Sequence, residues 1–361
     1  MNRLRVSLLV LLFGAACLPG PARADDKKPD NKKRPALTPK EIADGTILLF
    51  DGETTFGWKI DGDAKVEDGI LKIGGKKAAK ATTRMRQSSG EMQVEASWTG
   101  AKGPLLRDGG GVQLSLTDST KDGKFFNQKW SGGISGFRRE NDGTVVEFYG
   151  GNNPALGPKV EADSELWLRN VKLCFKSFGG KFDRAKQIKT WTPLANSNAK
   201  LEQGKDDWLL LKGGRGGVAS KNEFTHFLLQ MECKLAGHKP KAAIQVRVPA
   251  DKPEGGWALL LQPGQNGKLA LGEVDGKQKP RKELAATGET FYLTVMVAEN
   301  DVCVWVNGIQ VTDWCAEVGE KDKKYERGPV LLRLLDPSTE LSVRNVRYIK
   351  LIEDRIPPKK P

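Results

Sequence analysis

Apolar and polar residues alternate along much of this chain, in short runs broken by Gly, Asn and Asp. Met92-Gln93-Val94-Glu95-Ala96-Ser97-Trp98 and Val112-Gln113-Leu114-Ser115-Leu116-Thr117 have a period of two, as a strand with one buried face must. Thr144 to Tyr149 follows an Asn141-Asp142-Gly143 turn and predicts another strand. Phe227 to Cys233, Ala243 to Val248, Trp257 to Leu261 and Phe291 to Val297 continue the series. Val302 to Val306, then Asn307-Gly308, then Ile309 to Thr312 predicts a hairpin, because both turn residues tolerate positive φ. Only Pro39 to Ala43 suggests a helical turn. Many strands with no interleaved helices predict β-sandwiches.

Two stretches of this pattern return. Glu165-Leu166-Trp167-Leu168-Arg169-Asn170-Val171 is echoed by Glu340-Leu341-Ser342-Val343-Arg344-Asn345-Val346. Trp58 followed by Ala64 to Gly75 is echoed by Trp191 followed by Ala199 to Gly214. So long a period predicts duplicated domains rather than a solenoid of short repeats. We expect one sandwich over 46–180, a second over 188–355, and a tail over 356–361.

The N-terminus changes the picture. Arg3 and Arg5 precede the apolar run Val6 to Phe13, and Ala22-Arg23-Ala24 supplies a small-residue cleavage site. Residues 1–24 therefore predict a signal peptide, with export to the periplasm or medium after cleavage near Ala24. Gly14-Ala15-Ala16 before Cys17 is a poor context for a lipid anchor. No later run approaches the roughly 20 apolar residues of a membrane-spanning helix. Residues 25–45 are rich in Asp, Lys, Pro and Asn and predict a disordered basic linker.

The chain's net charge of +13 falls to +10 once the three leader arginines go. Attraction to polyanions and a solvated, Lys-rich surface both fit that charge. The lysines are dispersed, without a basic helix or basic–aromatic ladder, which favours the solvated surface and gives no nucleic-acid signal. An anionic envelope component could still meet the linker. Cys174, Cys233, Cys303 and Cys315 form no CxxC pair and no zinc spacing. Cys303 and Cys315 are nearest in sequence, yet counting back from the Asn307-Gly308 turn leaves them about three residues out of register.

Leu49-Phe50-Asp51-Gly52-Glu53-Thr54-Thr55-Phe56-Gly57-Trp58, with Val66 to Leu71, resembles the opening of the 3-keto-disaccharide hydrolase family. Gly288-Glu289-Thr290-Phe291, Trp305-Val306-Asn307-Gly308, Gly328 to Leu332 and Val343 to Val346 resemble its closing segments. The resemblance implies two tandem concanavalin A-like jelly-roll β-sandwiches and carbohydrate chemistry on glycosides bearing a 3-keto group. A ketone at C3 acidifies the C2 proton, so a base could drive loss of the C1 substituent, given something to stabilise the enolate. The chain departs from the family where Trp257-Ala258-Leu259-Leu260 replaces a Glu-bearing strand, where Lys241 to Arg247 replaces Asn-Ser-Gly, and where Arg333 to Asp336 lacks the usual His. Two readings stay open: hydrolysis or elimination of keto-sugar glycosides, and a non-catalytic glycan-binding or envelope-associated sandwich.

With no HExxH and no GxSxG, carboxylates are the acid–base candidates. Asp118, Glu147 and Asp108 flank the Gly-rich strands of the first unit and are the nominated catalytic residues. Trp130, Gln113, Arg138 and Arg139 are nominated to hold a carbohydrate or glycoside ligand. Trp58 and Trp305 fall in framework motifs and predict core packing, and His226 predicts an ordinary structural or solvated imidazole. The pattern calls for no metal site and no cofactor and leaves metal dependence open.

Overall fold

The computed structural model describes residues 36–83, 90–100, 105–108, 113–115, 121–132, 138–139, 145–146, 156–175, 188–248, 256–264, 269–274, 280–298, 301–315 and 327–350. Strands are numbered in chain order. In the first half, one sheet runs β3 (Ala64–Glu67), β4 (Ile70–Gly75), β13 (Ser164–Cys174), β6 (Gly90–Gly100) and β9 (Phe126–Gly132), with β1 (Thr46–Leu48) also on β13. The other runs β2 (Trp58–Asp61), β5 (Ala79–Thr83), β12 (Leu156–Val160), β7 (Leu105–Asp108) and β8 (Gln113–Ser115). A ribbon pairs β10 (Arg138–Arg139) with β11 (Val145–Val146).

The second half repeats this plan. Its six-stranded sheet runs β14 (Trp191–Pro193), β17 (Gly216–Phe224), β25 (Gly328–Leu334), β19 (Ala242–Val246), β20 (Trp257–Pro263) and β21 (Leu269–Val274). Its seven-stranded sheet runs β15 (Lys200–Gln203), β16 (Leu209–Lys212), β26 (Glu340–Lys350), β18 (Phe227–Ala236), β22 (Thr290–Ala298), β23 (Asp301–Val306) and β24 (Ile309–Cys315). The order β2-β5-β12-β7-β8 maps onto β14-β17-β25-β19-β20, and β3-β4-β13-β6 onto β15-β16-β26-β18. In each half the chain crosses repeatedly from sheet to sheet. These are two tandem jelly-roll sandwiches, all-β as the alternation predicts.

The echoed Arg-Asn dipeptides explain themselves here. Arg169 Nε and Asn170 Nδ2 donate to Glu95 at 2.6 and 2.8 Å. Arg344 Nε and Asn345 Nδ2 donate to Glu232, both at 2.6 Å. Each pair sits at a bulge, where Asn170 and Asn345 adopt φ of 49° and 50°. Asn tolerates that left-handed geometry better than most residues, and its amide then turns toward the glutamate.

The central strands β18, β22 and β23 of the seven-stranded sheet are buried on both faces. Phe227, Leu229, Met231, Cys233 and Leu235 of β18 enter the second sandwich's own core, as do Leu293, Val295 and Val297 of β22 and Val302, Val304 and Val306 of β23. The alternate residues Leu228, Met296, Ala298, Cys303 and Trp305 join the core of the first sandwich, against Ile47, Leu49, Phe50 and Phe175. Strands covered on both sides read as near-continuous apolar runs, which is why β22 and β23 lack the alternation seen in β6. Burial also raises the pKa of the Cys233 thiol, with Glu232 adding to the rise.

The opening motif is a junction. Trp58 Nε1 donates to the Leu49 carbonyl at 2.7 Å, and Trp305 Nε1 to the Leu48 carbonyl at 3.1 Å. Both tryptophans are buried, as core packing requires. Asp51 accepts from the backbone N–H groups of Glu53 and Thr54, and meets Arg281 at 2.5 Å and Lys282 at 3.3 Å. Burial pushes the Asp51 pKa up, but these hydrogen bonds and Arg281 outweigh it and leave the carboxyl below its usual range. Arg281 also caps the Phe56 ring, 4.5 Å from its centroid.

Residues 36–45, which composition places in the linker, carry structure. Helix α1 (Pro39–Ala43) starts on a capping box, with Thr38 Oγ1 accepting from Glu41 N–H and Glu41 Oε2 accepting from Thr38 N–H. Gln230 Nε2 donates to the Ile42 carbonyl at 3.1 Å, and Arg347 donates to the Ala43 carbonyl. Partners distant in sequence order this segment, and composition does not register them. The Asn307-Gly308 turn forms as predicted, with Val306 opposite Ile309. A bulge at Val304/Trp305 brings Cys315 opposite Asp301, so the two cysteines are two residues out of register rather than three. The Cys303 thiol donates instead to Asp313.

Candidate functional site

The outer face of the six-stranded sheet is where polar side chains collect without serving the junction. Register lays out two rows across it. One row runs Gly217, Arg333, Ala243, Leu260 and Glu273. The next runs Thr192, Ala219, Leu331, Gln245 and Ala258. Paired residues share a face, and the residues between them, Val218, Leu332, Ile244 and Leu259, belong to the core beneath.

Arg333 and Gln245 stand on the two central strands and hold each other. Arg333 Nη1 donates to Gln245 Oε1 at 2.9 Å. Gln245 is buried, while Arg333 is half-buried with its Nε inaccessible and without a hydrogen-bond partner. Arg333 is flanked by Gly217 and Ala243, and Gln245 by Ala258 on one side and the buried Leu331 on the other. A Cβ at Gly217 would lie 2.0 Å from the Leu332 carbonyl oxygen and 2.9 Å from Arg333 Cα, so only glycine fits there. Ala219, Ala243 and Ala258 supply methyl groups alone. The pair makes a polar strip across the small residues Gly217, Ala243 and Ala258, the Arg333–Gln245 trough, whose N–H groups suit a ligand with acceptor oxygens.

Charges at one end of the trough are basic and exposed. Lys241 precedes β19, and Arg215 precedes β17. Asp336 lies within their influence, but its carboxylate accepts from the Ser338 hydroxyl and N–H, which chiefly lower its pKa, with help from Arg215 and Lys241. At the opposite end, the buried Arg247 donates to the Thr225 carbonyl at 2.8 Å and meets His226 Nδ1 at 3.3 Å. His226 thus sits beside a strand as a partner of Arg247. Arg247 also lies over the Trp257 ring, which stacks edge-on against Trp314.

Of the residues nominated in the first sandwich, the structure gives the strand positions of five. Asp118 and Glu147 lie outside the described residues. Asp108 ends β7 opposite Leu156, whereas Gln113 pairs with Arg107, the residue before Asp108 and of opposite strand parity. Trp130 lies in the edge strand β9 opposite Met92. Arg138 and Arg139 pair with Val146 and Val145 in the ribbon. Among the described residues, no cluster of three or more His, Cys, Asp or Glu could hold a metal ion. Also among them, no helix is long and apolar enough to cross a membrane.

Neither Arg333 nor Gln245 is among the residues nominated from the sequence. The signal was present: each is the lone polar residue inside an apolar strand, in Leu331-Leu332-Arg333-Leu334 and Ala243-Ile244-Gln245-Val246. A half-buried strand hides such a residue among ordinary outward-facing ones. Only the pairing of β19 with β25 puts the two together.

The family match falls in the same half of the chain. Residues 178–349 match the 3-keto-alpha-glucoside-1,2-lyase-like domain. A search of curated proteins matches none. Among solved structures, the carbohydrate-binding module CBM66 from Bacillus subtilis is similar at 12% identity, covering 44% of this chain and 94% of that one, with a TM-score of 0.33. A Bacillus licheniformis β-glucanase is similar at 11% identity, over 44% of this chain and 92% of that one, with a TM-score of 0.33. A Bacillus subtilis protein of unknown function with a galectin-like fold is similar at 12% identity, over 48% and 97%, with a TM-score of 0.35.

Proposed function

We propose, from the premise that residues 178–349 are a 3-keto-alpha-glucoside-1,2-lyase-like domain, that this protein acts on carbohydrate and receives it in the Arg333–Gln245 trough. The observation that carries this reading is the guanidinium–amide pair on the outer face of the six-stranded sheet. Sugar hydroxyls accept from such N–H groups. Export with cleavage near Ala24 belongs to the same proposal. A mature protein beginning at Asp25 in the culture supernatant or periplasm would support it.

A second reading is cleavage of a keto-sugar glycoside on the same face. It is favoured by the family match and by Glu273, the one carboxylate position in the Arg333 row. Three inter-strand steps of about 4.8 Å separate Arg333 from Glu273, roughly 14 Å, about the reach of a short oligosaccharide. In this reading Arg333 holds one end of the glycoside and Glu273 withdraws the C2 proton, since a ketone at C3 makes that proton acidic. The test incubates the full mature chain with a 3-keto-glucoside and with its unoxidised parent. Release of the aglycone from the keto form alone, abolished in Glu273→Gln, supports cleavage. Saturable binding without release, weakened by Gln245→Ala, supports recognition alone. Neither binding nor release refutes both.

A further inference from the structure

Strand β21 carries one residue more than the strand it pairs with. Leu259 and Leu260 of β20 stand opposite Val274 and Glu273, but Leu261 stands opposite Leu271, so Gly272 is the extra residue of a β-bulge. Successive strand positions alternate between faces, and a one-residue change of register exchanges them. With the bulge, position 273 lies opposite the half-buried Leu260, in the row that holds Arg333. On an unbroken ladder continued from Leu261 and Leu271 it would lie opposite Leu259, a fully buried core residue. The bulge therefore decides whether this acid belongs to the outer face or to the core row. Among the described residues, the first sandwich has no strand at the place of β21.

A bulge leaves part of the ladder unpaired, and its neighbours must hold it. Gly272 takes a φ of 87°, and a Cβ there would lie 2.8 Å from Val304 Cγ1, so both conformation and space call for glycine. Its carbonyl accepts from the hydroxyl of the fully buried Thr312 at 2.8 Å. Thr312 is itself aimed by a second bulge. Val304 stands opposite Thr312 but Trp305 opposite Gln310, which makes Val311 the extra residue of β24. Without that residue Thr312 would pair with Cys303, whose face belongs to the first sandwich's core. With it, Thr312 pairs with Val304 on the second sandwich's core face, within reach of Gly272. The Val311 carbonyl in turn accepts from the Arg281 N–H at 3.0 Å.

We propose that Gly272 and Thr312 are positioning residues, two interlocked bulges that keep Glu273 on the face of the Arg333–Gln245 trough. This rests on the reading of Glu273 as the group that withdraws the C2 proton. Neither Gly272 nor Thr312 touches the ligand; both act through Glu273.

The first measurement needs no activity. Glu273→Cys is made in the full mature chain, alone and together with deletion of Gly272, with Thr312→Val or with Thr312→Ser. Each protein is alkylated with iodoacetamide, and the labelled residues are located by peptide mass mapping, with the buried Cys233 as internal reference. We expect position 273 to label much faster than Cys233, and deletion of Gly272 to slow it roughly tenfold, because the register then turns it to the core row. Thr312→Val should slow it severalfold, and Thr312→Ser, which keeps the hydroxyl, should leave it near the parent rate. Far-UV spectra and melting temperatures confirm that each variant is folded; if the deletion does not fold, the Thr312 pair decides. Labelling of position 273 no faster than Cys233, or unchanged by Thr312→Val in a folded protein, would overturn the proposal. The second measurement follows aglycone release from a 3-keto-glucoside. Thr312→Val should lower kcat roughly tenfold with KM nearly unchanged, since binding by Arg333 and Gln245 survives, and Thr312→Ser should restore it. A loss that serine does not restore would overturn the role of the hydroxyl. No release by the unaltered chain would overturn the catalytic reading of Glu273, while the labelling still decides whether the bulges set its face.

Discussion

Trp305 belongs by sequence to the second sandwich and by packing to the first. Its side chain is fully buried among Leu49, Phe50 and their neighbours, and its indole N–H donates to the Leu48 carbonyl at 3.1 Å. Leu48 in turn donates its N–H to the Gly308 carbonyl at 2.8 Å, so the indole and the turn beside it grip one strand of the other sandwich. Trp305→Phe keeps most of the volume and removes the donor. An unmet buried carbonyl costs about 1–3 kcal/mol. Trp305→Ala also opens a cavity, and large aromatic deletions cost about 3–5 kcal/mol. Urea unfolding followed by far-UV dichroism should show a single transition that moves by those amounts in that order. Amide exchange supplies the sharper readout. In Trp305→Ala, protection should fall in β1 and β13 as much as in β23. A loss confined to β22, β23 and β24, or a shift below about 1 kcal/mol, would refute the claim that this tryptophan ties the two cores.

The junction ion cluster predicts a pH response. Asp51 titrates below the ordinary carboxylate range in the folded protein, so its contribution is present above about pH 4, the unfolded value, and is lost as pH falls through the lower folded value. Asp51→Asn should cost about 3 kcal/mol at neutral pH, the scale for breaking a buried pair, and should flatten the acid limb of the stability–pH curve. An unchanged acid limb in the variant would contradict that assignment. The two Arg-Asn clamps make a paired prediction. Glu232 is 6% exposed and its Arg344 31%, against 20% and 43% for Glu95 and Arg169. Water screens the first-sandwich clamp more, so Glu232→Gln should cost about 1–2 kcal/mol and Glu95→Gln less than about 1, measured by urea midpoint. The reverse order would show that burial does not govern their strength.

What the linear pattern disclosed follows from range. The Asn307-Gly308 hairpin and the helical turn at Pro39 to Ala43 rest on neighbours in sequence and were legible there, whereas the capping box at Thr38 emerged only with the structure. The Arg-Asn echo could be read as duplication, although its partners Glu95 and Glu232 lie 74 and 112 residues from their arginines. Gln93-Val94-Glu95 and Gln230-Met231-Glu232 carry the matching half of that echo, and a search for paired echoes would have found it. The outer covering of the seven-stranded sheet was hidden, because Leu228, Met296 and Trp305 have the same side chains whether they meet a second core or a partner protein. The Arg333–Gln245 trough was hidden for a similar reason. Its residues come from five strands, and only register across β17, β25, β19, β20 and β21 gathers them.

The strands buried on both faces bear on what can be cut from this protein. The segment that matches the family, 178–349, contains Leu228, Met296, Ala298, Cys303 and Trp305 but none of the first-sandwich residues that cover them. Expressed by itself, it would present that apolar face to solvent, a surface prone to self-association and to capture by chaperones. The boundary of inheritance and the boundary of independent folding therefore differ in this chain. A soluble truncation needs either the first sandwich left in place or polar replacements at Leu228, Met296 and Trp305.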